Sequence, residues 1–189
     1  MPETVTTKFA NRMRRMFAVR VARRFARKQD GAAAIEFGLV AAPFLALVFA
    51  IMETAIVFFA GQTLEAAVAD TARLIMTGQA QTQGLTQTSF KTAVCGKIFG
   101  LFDCAGGVQV DVKSYTSFSS VSTTPPVTNG TLDTSKMTYQ PGGPGDIVVV
   151  SLYYQWPVYI SLLGLNLSDL SGSKRLLVAT AAFRNEPYQ

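Results

Sequence analysis

The pattern of apolar and polar positions divides the chain into a mixed leader, a continuous apolar run and a tail of alternating periods. In the leader, MFAVRVARRFARK carries Phe17, Val21, Ala22 and Phe25 at helical steps. It reads either as an amphipathic helix lying on a membrane surface or as a solvated segment without fixed structure. From Phe37 to Met52, sixteen residues pass without a charge, FGLVAAPFLALVFAIM, and after Glu53 and Thr54 the run resumes as AIVFFA to Ala60. A helix over 37–60 extends roughly 36 Å at about 1.5 Å per residue, and ~20 apolar residues suffice to cross a bilayer. A chain of 189 residues has little core in which to bury a helix that is apolar on every side. The run is therefore expected to be a transmembrane helix.

Beyond the run the helical period persists but turns one-sided. In GQTLEAAVADTARLIMTG, Leu64, Val68, Thr71, Ala72 and Ile75 recur at steps of three and four, while Glu65, Asp70 and Arg73 fall on other faces. Gly78 is the expected C-cap. One helix from about Ala32 to Met76 is predicted, first suited to lipid and then to packing on a small domain. Thr86 to Phe99 reads as a second, shorter helix with Phe90, Val94 and Ile98 on one face. The period then changes to two. VQVDV (108–112) and DIVVVSLYYQW (146–156) read as strands, the latter ended by Pro157. KRLLVATAAFRN (174–185) reads as a final strand after a turn at Ser171 to Ser173, and Ser114 to Gly145 reads as mostly loop. Helices followed by strands predict an α+β fold: a long transmembrane and spine helix, then a small domain with a short helix and a 3–4 stranded antiparallel sheet. The expected divisions are a leader at 1–31, the helix at 32–78 and the α+β domain at 79–189.

Charge orients this arrangement. Residues 1–30 hold nine basic and two acidic residues, net +7, while the rest of the chain holds eight and ten, net −2. A basic flank before an apolar span stays in the cytoplasm, so the C-terminal domain is expected in the periplasm of a single-pass inner-membrane protein. The small residues Gly31 to Ala34 precede the apolar run instead of following it, unlike a cleavable secretory signal. Cys95 and Cys104, in VCGKIFGLFDC, fit export: their spacing allows a local disulfide, the alternative being two buried thiols.

Enzymatic chemistry finds little footing. The chain has no histidine, so neither a Ser-His nor a Cys-His pair is available. It has no Gly-rich phosphate loop, no CxxC pair for zinc, and its scattered aspartates lack calcium-loop spacing. The basic arm lacks aromatic interleaving and a folded basic face, which argues against nucleic acid. No catalytic residue, metal, cofactor or small-molecule substrate is expected.

Glu36 stands out. A charge at mid-bilayer costs at least about 2.5–3.5 kcal/mol, so an acid opening a membrane span needs a partner or a place near the interface. The context GAAAIEF sets a glycine five residues before the glutamate and an aromatic after it. A basic leader, Gly31, Glu36 and Phe37 at the head of an apolar helix resemble the processing site of type IV pilin-like proteins. The longer stretch from Gly31 through Gly78 is similar to the TadE family, minor pilin-like proteins (pseudopilins) of the Tad or Flp tight-adherence pilus. Ala42-Pro43, Glu53, the ARL of 72–74, YQWP (154–157) and FRNEPY (183–188) fit that resemblance. It implies that a prepilin peptidase cuts after Gly31, leaving Ala32 as the new N-terminus. It implies that Glu36 meets a free N-terminal amine, its own or a neighbour's, during filament assembly. Implied partners are the membrane, the peptidase, and other Tad pilus subunits, both the major pilin and a sibling pseudopilin. Entry into an extracellular pilus is open. The alternative is an uncleaved single-pass protein whose periplasmic domain is a binding or assembly module.

Three further readings stay open in the sequence. Pro43 within the span is either a packing kink or a point of melting on extraction from the membrane. Glu53 either snorkels toward the periplasmic face or makes an inter-subunit charge contact. The aromatic YYQWP is either packing on a sheet face or a binding platform, and Arg184 and Glu186 are placed to pair locally.

Overall fold

The computed structural model describes residues 30–98, 100, 102–159 and 167–188. The expectation for the leader helix around Phe17 to Phe25 lies outside them. Two units are taken separately, one ending at Val48 and one spanning Phe49–Gln189.

Helix α1 runs from Asp30 to Met76 without a break, through Pro43. In the first unit it is the whole of the described structure, and its residues from Gly31 to Val40 are all exposed. In the second unit its faces diverge. Glu53, Val57, Ala60, Leu64, Ala67, Val68, Thr71, Ala72 and Ile75 are buried, at steps of one, three and four, while Glu65, Asp70 and Arg73 are exposed. All five inward positions expected from the period are among the buried ones. Thr54 and Thr71 donate their hydroxyls to the carbonyls of Ala50 and Ala67 at 2.8 and 2.7 Å, so neither leaves a polar group unpaired on an apolar helix.

Gly78 ends α1 in the left-handed conformation, φ 76°, as a C-cap glycine does. A short turn of helix, α2 (Gln79–Thr82), follows. Helix α3 (Gln87–Cys95) is started by a reciprocal cap: the Thr86 hydroxyl accepts from Ser89 N–H and the Ser89 hydroxyl accepts from Thr86 N–H. It stops four residues short of the predicted Phe99. Gly96 follows the last helical residue and the chain tightens, with Lys97 N–H bonded to Val94 and Ile98 N–H to Cys95. Ile98 is still buried beside Phe90 and Val94. The one-turn α4 (Cys104–Gly107) is capped by Asp103, whose Oδ1 accepts from Gly106 N–H at 3.0 Å.

The sheet is antiparallel in the order β1-β4-β5, with β1 Gln109–Tyr115, β4 Ile147–Pro157 and β5 Lys174–Arg184. Fold class and sheet therefore match the α+β expectation. Strand β1 outlasts its predicted end because β4 offers partners as far as Tyr115 opposite Ile147. Pro157 is the last residue of β4, where its missing N–H costs the ladder little. Inside the predicted loop lies a small hairpin, β2 (Val127–Thr128) and β3 (Thr131–Leu132), turned by Asn129 and Gly130, both with positive φ. Asn-Gly between short apolar runs is the sequence signal for that turn.

Strand β4 is buried on both faces, as its near-continuous apolar run implies. Val148, Val150, Leu152 and Trp156 join the core with α1, Phe90 and Val94 of α3, and Val108, Val110 and Val112. Ile147, Val149 and Tyr153 are buried outside that core, together with Leu132, Val158 and Leu170. On that second face Asp111 is buried and satisfied twice. Its Oδ2 pairs with Lys113 Nζ at 2.7 Å and its Oδ1 accepts from Thr138 N–H at 2.9 Å. The Asp111 hydrogen bond raises the Lys113 ammonium above its ordinary range.

Candidate functional site

The sequence-predicted residues fall in three places. Gly31, Ala32, Glu36 and Phe37 occupy the first two turns of α1, and Pro43 lies two turns further on. All five side positions are exposed, Phe37 at 75%. Gly31 is not in a positive-φ conformation, and a Cβ added there meets no atom within 4 Å. Neither backbone nor packing therefore requires a glycine, and within a helix glycine costs about 0.5–1 kcal/mol relative to alanine. Among the described residues Glu36 has no hydrogen-bond or ion-pair partner in its own chain. Two costly choices, a glycine without a local need and a carboxylate without an internal partner, thus stand five residues apart at the head of an apolar helix.

Glu53 is placed otherwise. It is only 8% exposed, and its Oε1 accepts a hydrogen bond from the backbone N–H of Tyr159 at 2.7 Å, just past the end of β4. The second acid of the apolar run thus sits against the chain's own domain, which no local pattern foretold, because its partner is 106 residues away.

Cys95 and Cys104 form the disulfide, with Cα atoms 5.6 Å apart, joining the end of α3 to the start of α4. The chain it ties down carries Phe102, whose ring lies 4.3 Å from that of Tyr154 and 6.1 Å edge-on to that of Trp156. YYQWP is thus sheet-face packing in part, with Trp156 buried and Tyr154 half-buried. Burial raises the Tyr154 phenol above its ordinary range.

FRNEPY makes a clasp that sequence reasoning missed. Arg184 is not paired with Glu186; its Nε donates to the Gly145 carbonyl at 2.8 Å. Asn185 is buried and its Nδ2 donates to the carbonyls of Pro141 and Gly143, both at 2.9 Å. Glu186 N–H donates to Met76 O at 2.8 Å, closing the end of α1. Tyr188 covers Gly78 so closely that an added Cβ would overlap its ring. Six residues therefore bind the PGGPG loop and the helix end together.

The whole apolar stretch of α1 is long and apolar enough to cross a membrane, and none of its most apolar window is buried. Its head, its apolar body and its amphipathic end meet one family description together. Residues 31–73 match the model of the TadE-like proteins. No curated protein and no solved structure gives a match to this chain. The TadE-like segment begins at Gly31 and takes in Glu36, Pro43, Glu53 and the domain-packing face of α1 as far as Ala72. The match is confined to α1.

Proposed function

We propose that this protein is a minor pilin-like subunit, a pseudopilin, taking part in assembly of a Tad-type pilus. In this reading residues 1–31 are a cytoplasmic leader, 32–78 the membrane and spine helix, and 79–189 a periplasmic domain. A prepilin peptidase cuts after Gly31 to free the Ala32 amine. Glu36 then pairs with such an amine, its own or that of the major pilin or a sibling subunit, which offsets the cost of a carboxylate in lipid. Pro43 and Glu53 lie within the assembling helix. The observation that carries the reading is the TadE-like match over 31–73, which starts at the glycine of the G-x4-E site. Support comes from Gly31 itself, a glycine for which the fold has no use.

The test is mass and N-terminal sequence of the protein from its own cells. Wild type is expected to begin at Ala32. Gly31→Val is expected to keep the +7 leader and the precursor mass, because the peptidase needs close approach to a backbone without Cβ. Glu36→Ala is expected to be cut yet to lose pilus assembly. Normal pili and one common mature mass from both variants would overturn the reading and leave a permanently anchored module.

A further inference from the structure

We propose that the end of β4 is a second membrane contact, in which Tyr159, with Phe58 and Phe59 of α1, rests in the headgroup region of a phospholipid bilayer. The inference rests on the reading that α1 spans the membrane. Three observations carry it.

The first is depth. Tyr159 N–H is bonded to Glu53, the residue that directly follows the sixteen-residue uncharged run of α1. The far end of the sheet is fixed as well: Ile147 of β4 pairs with Arg184, and Glu186 N–H reaches Met76 O. From Glu53 to Met76 the helix rises roughly 35 Å at about 1.5 Å per residue. The eleven residues of β4 cover about 33 Å at ~3.3 Å per residue, so helix and strand run side by side over the same height. One end of the sheet is thereby held at Glu53 and the other at Met76.

The second is chemistry. Tyr159 is 81% exposed although it is aromatic and its backbone is fixed. Phe58 and Phe59 are 70% and 63% exposed on α1. They lie five and six residues beyond Glu53, about 7–9 Å along the axis. The headgroup zone of one leaflet is roughly 5–7 Å deep, so Tyr159, bonded at Glu53, falls within it and the two phenylalanines reach its outer edge. Tyrosine favours that zone because its ring is apolar and its hydroxyl is wet.

The third is charge. At this end of the sheet Lys174 stands opposite Pro157 and Arg175 opposite Trp156, two cations that suit the phosphates of anionic headgroups. The contact would fix the tilt and height of the domain on the bilayer before the subunit is extracted.

The experiment uses the full chain in phosphatidylcholine–phosphatidylglycerol vesicles. The two native cysteines are joined, so a single introduced cysteine takes an environment-sensitive fluorophore. Labels are placed at Tyr159→Cys, Glu186→Cys and Leu45→Cys, and lipids carry a nitroxide either near the headgroup or deep in the acyl chain. The Tyr159→Cys label is expected to be quenched about twofold or more by the shallow nitroxide, and the Glu186→Cys label not at all. Leu45→Cys should respond to the deep nitroxide; if it does not, the span itself is refuted. If Leu45→Cys is quenched while Tyr159→Cys behaves like Glu186→Cys, the second contact is refuted. Energy transfer between Tyr159 labels on separate chains at high lipid dilution, without lipid quenching, would also overturn it in favour of a second copy of the chain. Glu53→Gln, which keeps an acceptor oxygen, should preserve the quenching, and Glu53→Ala should weaken it.

Discussion

At the residue scale, the acids and glycines of α1 separate into two kinds. Among the described residues Glu36 has no partner and Gly31 no neighbour that needs a glycine, whereas Glu53 and Gly78 are built into the domain. Replacing Glu53 by alanine removes the acceptor for Tyr159 N–H, and a hydrogen bond to a charged group contributes about 1.5–3 kcal/mol. Chemical denaturation in detergent should show a loss of that size for Glu53→Ala and none for Gly31→Ala, whose exchange within a helix is neutral or slightly stabilising. Equal stability of Glu53→Ala and wild type would mean that the bond contributes nothing. Gly78→Ala combines a left-handed backbone with a clash against Tyr188, and should cost roughly 1–3 kcal/mol. A melting temperature unchanged by that substitution would show that the C-terminal residues do not hold the place seen here.

At the element scale, the disulfide and the clasp do what the small core leaves undone. A loop of about ten residues closed by a disulfide stabilises by roughly 2–3 kcal/mol, mainly by restricting the unfolded chain. Reduction, or Cys95→Ser with Cys104→Ser, should lower stability by that amount and loosen Phe102 from Tyr154, which is visible as a change in Trp156 emission. Exported protein with two alkylatable thiols would contradict the bridge. Asn185 holds two carbonyls of the PGGPG loop, so Asn185→Ala should speed amide exchange across 141–146 and at the end of α1. Exchange that rises in only one of the two places would separate the clasp into independent halves.

At the scale of the whole molecule, the α+β domain answers to alkali. The Asp111 carboxylate raises the Lys113 ammonium, and burial raises the phenols of Tyr139 and Tyr153. Each group has a folded pKa above its unfolded one. The stability each contributes is whole below the unfolded value and is lost as pH rises through the folded one. Melting temperature should therefore hold from neutrality to about pH 9 and fall above about pH 10, where lysine and tyrosine titrate. Asp111→Asn should flatten the lysine part of that fall. A fall beginning near pH 7 would point to some other group.

The sequence by itself determined what depends on period and composition. Uninterrupted apolar residues made the exposed half of α1, the three-four period chose which face of its second half is buried, and the two-residue period with β-branching placed β4 and β5. The G-x4-E head and its flanking charge were legible for the same reason: each is a local arrangement of residue types. The tertiary structure alone decided where distant groups meet. Glu53 found its donor across 106 residues, Asn185 its carbonyls across more than 40, and Tyr188 its seat on Gly78. Such contacts depend on how far a strand runs beside a helix and where its ends come to rest. Backbone N–H and C=O groups supply most of them, and these are the same in every residue, so no side-chain pattern announces them.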